Sequence, residues 1–584
     1  AGGRAGSRAA SAGRSSPSRP RAAVFEGGGF IALADFVGVQ MGLLHAMQGM
    51  WQTWWDPTLE RLWKKFDTLG TTSGGSWFIN QLIYSEKFMY LMYAGSRLPA
   101  FSGLMFNSQY ILPWLNALKG TSVNGTIDGL KECLDGLRSW FPWFPRSSAR
   151  ESSPPLASTP RSGEAEPAQR GWADISPWYL QIAAEALILL QSGSLSWDAV
   201  VRDLFERSAG IDGNVTLGSQ STNAWARGKL LVNTAAAVTP AGTSRFYSST
   251  PIEVDQVQVY KSWLDTLAYA AHGDNNPYDT NLLPTRFSVV VGEGEDQRAP
   301  LSFCAAERCS QYQATYTRNG WPVAYPVNFS SVWEQAFERR AGALPVVDVS
   351  SASSSFFADY SFMYGIAGTQ GCVALATWAS GAPDGASFSH AREIRRNMFT
   401  NGLGFGANQV ATAGLQPLVD GGDVDTFAIG AALAAGATEV LSFQDTYAHG
   451  EIDVKPFLRL FQGSPPPEAR VLFQSPTAEE ARRQYLAFPR MHAPAGSEFL
   501  RHIAYGTIRC VTAANPLFGN PGGREVKLNV ISVETANITM GMLQKNWSFD
   551  SFFDYGQVVG EITQTMAAEE NKGAVQKMLT DFFL

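Results

Sequence analysis

Long apolar runs are missing from this sequence. No stretch of 18 or more apolar residues occurs among its 584 positions, so it predicts no segment that spans a bilayer. Cysteine is scarce: the five present exclude a disulfide scaffold, and their odd number leaves at least one thiol free if all pairing is internal. Cys304 and Cys309, in CAAERC, could bridge locally, but with no histidine or second pair nearby they do not make a metal site. Charge is thin, at 17%, against 45% hydrophobic residues. That balance excludes wholesale disorder and allows one big domain or two modest ones. Basic residues are in deficit once residues 1–22 are set aside. That segment holds five arginines and no acid, leaving 40 basic against 52 acidic residues, a net charge of −12. A body this acidic is not a nucleic-acid binder by bulk electrostatics.

Residues 1–22, AGGRAGSRAASAGRSSPSRPRA, have no apolar run and so are not a secretory h-region. Their composition reads as a disordered tail, with the Arg- and Ser-rich, acid-poor character of an organelle transit segment as the alternative. The first residue is Ala1 rather than Met, which leaves room for a targeting segment upstream. Sequons at Asn124, Asn214, Asn328, Asn537 and Asn546 lean slightly toward a secretory route, although roughly three would arise by chance. The compartment stays open between the cytoplasm and a secretory or organellar lumen.

The sequence from 23 to 584 reads as one domain. Residues 146–171 have only Leu156 as a bulky apolar side chain, so burial cannot offset their ordering entropy, and they read as a low-complexity surface insertion. AAVFEGGGF predicts a short buried strand stopped by three glycines, and VGVQMGLLHAMQGMW then carries apolar residues at helical spacing. FDTLGTTSGGSWFINQLIY repeats strand, turn and helix, with the strand ending near Thr72 and the helix expected just beyond Ser73. WYLQIAAEALILLQ predicts a helix and RFSVVVGEG a strand. LQPLVDGGDVDTFAIGAALAAGATEVLSF predicts strand, acidic glycine turn, Ala-rich helix and strand. Such alternation is the pattern of an α/β sheet.

Three of these turns carry chemistry. A serine nucleophile works best on a sharp strand-to-helix turn flanked by small residues, and Ser73 has Gly74 and Gly75 beside it. The G-x-S-x-G pattern is half met, because Thr71 holds the first glycine position. Consecutive glycines at a helix start, Gly27 to Gly29, let backbone N–H groups approach a phosphate or an oxyanion. Neither the dinucleotide fingerprint nor the P-loop lysine motif is present at that turn. Asp420 ends an apolar strand just before Gly421 and Gly422, a position suited to a general base. Asp423 and Asp425 read as solvated residues at a helix start. No cofactor or metal is called for.

The ordered set GGGF, SGGSW and DGG resembles the catalytic domain of the cytosolic phospholipase A and fungal phospholipase B (lysophospholipase) group, related to the patatin-like acyl hydrolases. SGGSW matches the fungal nucleophile segment residue for residue, and YPVNFSSVW and SSASSSFFAD are similar to segments that precede the family's catalytic aspartate. The likeness extends from 23 to about 560. It implies a patatin/phospholipase-type three-layer α/β domain with a central, mostly parallel sheet and cap-like insertions. It also implies a nucleophile at Ser73, a base at Asp420, an oxyanion hole at Gly28 and Gly29, and a lipid acyl-ester substrate hydrolysed through an acyl-enzyme without histidine.

Two positions depart from that pattern. The family usually has an arginine directly after GGGF, thought to meet the lipid phosphate, where this chain has Ile31; Glu26 replaces a small residue. Two alternatives therefore stand beside the hydrolase: an inactive lipid-binding protein of the same fold, and a soluble esterase whose Ser-Asp-His triad draws on His449, His492 or His502. Two aromatic clusters, MWQTWWDP at 50–57 and WFPWFP at 140–145, are candidates for peripheral membrane contact, with ordinary core or cap packing as the alternative.

Overall fold

The computed structural model describes residues 20–51, 59–120, 197–238, 282–299, 303, 317–318, 321–322, 341–354, 418–449, 451–463, 471–515, 518–536 and 549–584. The insertion at 146–171, the cluster at 140–145, nearly all of 50–57, the helix expected around 178–191 and the Cys304 and Cys309 pair lie outside them.

The main sheet is built from β1 (Arg21–Phe25), β2 (Thr68–Thr72), β3 (Leu230–Val238), β4 (Leu282–Val290), β5 (Leu418–Asp420), β6 (Glu439–His449), β7 (Leu500–Thr512) and β8 (Glu525–Thr535). Short strands at Glu451–Ile452, Phe473–Ser475 and Arg490–His492 flank it. Helices α1 (Gly29–Trp51), α2 (Ser73–Tyr84), α3 (Val346–Ser353), α4 (Ile429–Ala434) and α5 (Asp554–Ala567) bear on the site. Five strands, in the order β8-β6-β1-β2-β3, run parallel, and antiparallel strands close both flanks, β7 against β8 and β4 against β3. The result is an α/β domain on a mixed sheet with a parallel centre.

Central parallel strands are covered on both faces, which explains why β1 and β2 show no polar alternation: apart from Arg21 every residue in them is buried. On one face Phe25 stacks on Phe443 of β6 at 4.7 Å and meets Phe36 of α1 at 5.6 Å and Phe78 of α2 at 5.4 Å. Aromatic pairs of this kind contribute roughly 0.5–1.5 kcal/mol each beyond area burial. On the other face Gly70 packs beside Val24 and the carbonyl of Ala428, the residue before α4. Helices therefore cover both faces of the sheet.

The all-round apolar character of α1 has its own cause. Residues 29–48 reach a mean hydropathy of 1.6, long and apolar enough to cross a membrane, yet 89% of that window is buried inside the fold. The sheet covers one side; on another, Gly38 and Gly42 let α5 approach so closely that a Cβ there would stand 2.8 Å from Ile562 and 2.6 Å from Met566. A helix hydrophobic on all sides is here a core helix.

Three expectations change. Arg21 and Ala22 belong to β1 rather than to a tail, and Arg21 pairs with Glu439 at 2.7 Å, so the fold begins earlier than residue 23. Helix α2 starts at Ser73 itself. The Ala-rich helix forms as α4, but the acidic glycine turn before it is itself helical at Gly422–Asp425, and Ala428 between the two has φ 53°.

Candidate active site

Strand β3 shows how two distant segments meet. Along one edge it pairs with β2 through Leu230–Thr234 in parallel, and with β5 through Ala235–Ala237 antiparallel. The two strands thus lie end to end on the same edge, and their C-terminal ends, Thr72 and Asp420, point at each other. Asp420 was expected at the end of a strand, and it is, but that strand arrives from the opposite direction to its neighbours.

Ser73 sits at this junction with φ 46°, one of two described non-glycine residues at positive φ. A non-glycine residue in that region costs on the order of 1–3 kcal/mol and persists only where the surroundings enforce it. The enforcement is visible in the glycines. A Cβ on Gly74 would stand 2.2 Å from the carbonyl oxygen of Gly29, and one on Gly75 2.6 Å from those of Phe25 and Glu26. SGGS is therefore required by the close approach of the β1 turn to the start of α2. Ser76 is structural: its Oγ donates to the Ser73 carbonyl at 2.6 Å.

The Ser73 hydroxyl donates to Asp420 Oδ2 at 2.7 Å, and Asp420 Oδ1 accepts the Gly422 N–H at 2.6 Å. Both side chains are nearly inaccessible, at 6% and 3% exposure. Burial pushes the Asp420 carboxyl up to about 7, against the opposing effect of the hydrogen bonds from Ser73 and Gly422. A carboxyl poised near neutrality beside a hydroxyl is matched to general-base work.

The three glycines after β1 take different places. Gly27 lies against Ser73: a Cβ on it would stand 3.0 Å from Ser73 Cβ, and the Gly27 N–H donates to the Thr426 carbonyl. Gly28 and Gly29 have φ of 145° and 59°, and Gly29 packs on Gly74. The N–H groups of Gly28, Gly29 and Gly74 make no hydrogen bond to another described residue. Unsatisfied donors at helix starts beside a serine are what an oxyanion site needs.

Sequence reading missed one residue of this site. Ser353, the last residue of α3, accepts the Ser73 N–H on its Oγ at 3.0 Å and the Gly421 N–H on its carbonyl at 3.0 Å. It clasps the Ser73 turn to the Asp420 turn. Its neighbours do similar work: Ser350 Oγ accepts from Asn80 and Ser354 Oγ from Trp77 Nε1, both on α2. The segment SSASSS carried the only signal, a run of small hydroxyls with no exposed face to explain it.

Other expectations move. Asp425 is not solvated: it is buried and accepts the N–H groups of Gly430 and Ala431, capping α4. Ile31 is 2% exposed and packs in the core, so its side chain does not face a substrate opening. His502 bonds to Glu534 at 3.1 Å, and His492 packs edge-on against it, away from Asp420 on the antiparallel flank. His449 ends β6, and its side chain is not among those described. Among the described residues no group of three or more His, Cys, Asp and Glu is arranged to hold a metal ion. A cleft of about 550 Å³ lined by Gln484, Thr507, Arg509, Lys527 and Asp581 shares no residue with the dyad.

Comparison with known protein families and with curated proteins returned no match to this chain.

Proposed function

We propose that this chain is a serine ester hydrolase acting on lipid acyl groups, of the patatin and phospholipase type, with Ser73 as nucleophile and Asp420 as base. The observation that carries the reading is the strained Ser73 at a strand-to-helix turn with its hydroxyl 2.7 Å from a buried carboxyl. Asp420 takes the hydroxyl proton as Ser73 Oγ bonds to the ester carbonyl carbon. The carbonyl oxygen becomes an oxyanion facing Gly28, Gly29 and Gly74 N–H groups. Collapse expels the alcohol, which takes the proton from Asp420, and leaves an acyl-serine. Water then repeats the cycle, giving its proton to Asp420 and freeing the acid.

The lipid class is supported by the sequence resemblance and by an apolar stretch. Tyr90, Leu98, Phe101, Leu104 and Leu112 are exposed within 23 residues of chain, whereas the described core buries most other large apolar side chains. Among the described residues no cation enters the surroundings of Glu26, Asp35, Asp420 or Asp445, which leaves an anionic head group no described countercharge beside these acids. Neutral substrates such as monoacylglycerols or galactolipids fit better than phosphatidylcholine. The second reading, a lipid-binding protein without turnover, draws on the same missing cation.

A fluorophosphonate probe separates the two. Wild type is expected to label and Ser73→Ala to lose labelling, with hydrolysis of a neutral acyl lipid lost in parallel. Labelling of the alanine variant at the wild-type rate would refute the assignment of Ser73, and an unlabelled wild type would favour the binding protein.

A further inference from the structure

Three acids meet behind the glycine turn. Glu26 directly follows β1, Asp35 lies on α1 and Asp445 lies on β6. The Glu26 carboxylate accepts the Asp445 N–H at 2.8 Å. Asp445 Oδ2 stands 2.9 Å from where a Cβ on Gly28 would be, so this carboxyl rests directly on the turn. Asp35 is fully buried, and neither of its carboxyl oxygens finds an N–H or O–H donor among the described residues. What it faces is Asp445. Two carboxyl groups in contact, with no donor between them, are satisfied only when one carries a proton and donates it to the other.

Among the described residues, no cation enters the surroundings of the three acids. Arg21 at the far end of β1 is held by Glu439, and Arg490 and His502 by Glu534 of β8. His45 of α1 bonds to the Ser96 carbonyl and Lys87 to that of Arg207. Lys572 pairs with Glu569 and Lys577 with Asp581. Tyr485, which feels the charge of Glu26, adds neutral polarity, and Glu561 of α5 is occupied by the N–H groups of Glu498, Phe499 and Leu500.

We propose that Asp445 is a positioning residue: with Asp35 and Glu26 it forms a proton-sharing carboxyl cluster that braces the Gly27–Gly29 turn, and the turn receives an oxyanion well only while the cluster keeps its protons. The catalytic half of this inference rests on the ester-hydrolase reading; the shared proton does not. Burial and mutual repulsion push Glu26 and Asp35 well up from the usual carboxylate range, and burial brings Asp445 to about 7. A bare carboxylate about 6 Å from a forming oxyanion, at an effective dielectric of about 20, slows the step on the order of 100-fold.

Two measurements test it. The first is kcat/KM on a soluble neutral ester from pH 5 to 9. Wild type should rise as Asp420 ionises and then fall as the cluster does. Asp445→Asn keeps the shape, cannot ionise, and should move the alkaline limb up by about one pH unit or more; Asp35→Asn, which does not touch the turn, should move it the same way. An alkaline limb unmoved in both variants overturns the proposal.

The second is melting temperature against pH, which needs no activity. Acids whose folded pKa is raised bind more protons when folded, so their contribution is full below the unfolded values near 4 and is lost as pH rises through the folded ones. Asp420 has the same sign, and His502, whose pKa burial lowers, the opposite. In an Asp420→Asn background the fall between about pH 4 and 7 should therefore persist, and adding Asp35→Asn or Asp445→Asn should flatten it. If wild type never hydrolyses an ester yet this flattening occurs, the cluster stands and the hydrolase reading fails. If the slope is the same with and without the asparagines, or the background itself shows no fall, the cluster is wrong whatever the activity.

Discussion

Asp420 bonds to Ser73 and Asp445 lies against the Gly28 turn, and burial pushes both up to about 7, yet they meet opposite partners. Each oxygen of Asp420 has a donor, Ser73 Oγ on one and Gly422 N–H on the other. Asp445 faces another acid and lies against a glycine that admits no side chain. The same perturbation thus yields two roles. An acid with a donor on each oxygen has its charge stabilised where it stands and can act as a base, whereas an acid facing an acid must share a proton with it and serves as a strut. A raised carboxyl pKa does not identify a catalytic group until its partners are counted.

The comparison breaks hardest at the donor-rich side. Ser73→Ala and Asp420→Asn are each expected to lower kcat/KM on an acyl ester by about three orders of magnitude or more, and the double variant by little beyond either single, because nucleophile and base act as one unit. Ser76→Ala and substitution of His492 or His502 should leave most turnover. A folded His492 or His502 variant with Ser73-like loss would replace the dyad by a triad. The residual pH dependence offers a second check: acylation by wild type should rise through about pH 7 as Asp420 ionises, the acid limb of the profile.

A smaller effect is expected at the clasp. Ser353→Ala removes the acceptor for the Ser73 N–H while leaving the carbonyl that holds Gly421. Leaving a buried N–H without its partner costs about 1–3 kcal/mol. If half or more of that appears as misplacement of Ser73, kcat falls on the order of 10-fold with KM nearly constant, and Ser353→Thr restores it. An equal rise in KM without loss of kcat would show that Ser353 shapes binding and not the nucleophile.

Much of this site was legible in the residues. Gly74 and Gly75 flank Ser73 because the turn after β1 presses on them, and that need for small side chains is written directly in SGGS. The strand before Gly27 and the strand ending at Asp420 were visible as apolar runs stopped by glycine. What could not be read was orientation. Nothing in LVDGGD says that β5 runs antiparallel and meets β2 end to end, because β3, which decides it, lies almost 200 residues away from Asp420 in the chain. Ile31 misled for a related reason: adjacency to GGGF suggests a side chain at the site, while the first turn of α1 rotates it into the core. Installing arginine there would bury a guanidinium, so Ile31→Arg is expected to destabilise the fold before it improves phospholipid recognition. Asp425 was misread because a helix-start acid looks the same in sequence whether it meets water or caps a second helix.

The least of the expected effects lies at the surface, and it separates lipid binding from chemistry. Phe101 and Leu104 are 55% and 67% exposed, beside Leu98 at 50%, while Ser73 and Asp420 are nearly closed to solvent. If this stretch rests on lipid, placing charge there should weaken partition onto vesicles and leave the dyad untouched. Fully burying a Leu or Phe contributes roughly 1.5–3 kcal/mol, and a half-exposed side chain recovers only part of that on contact with acyl chains. Phe101→Asp with Leu104→Asp should therefore reduce binding to neutral lipid vesicles about 5- to 30-fold in a sedimentation assay. Hydrolysis of a water-soluble short-chain ester should stay within about twofold, since no hydrogen bond of the dyad involves this segment. Equal loss on vesicles and on the soluble ester would mean that the charges disturbed the fold. Unchanged vesicle binding would place lipid contact elsewhere and leave the exposed apolar stretch without a part in the proposed function.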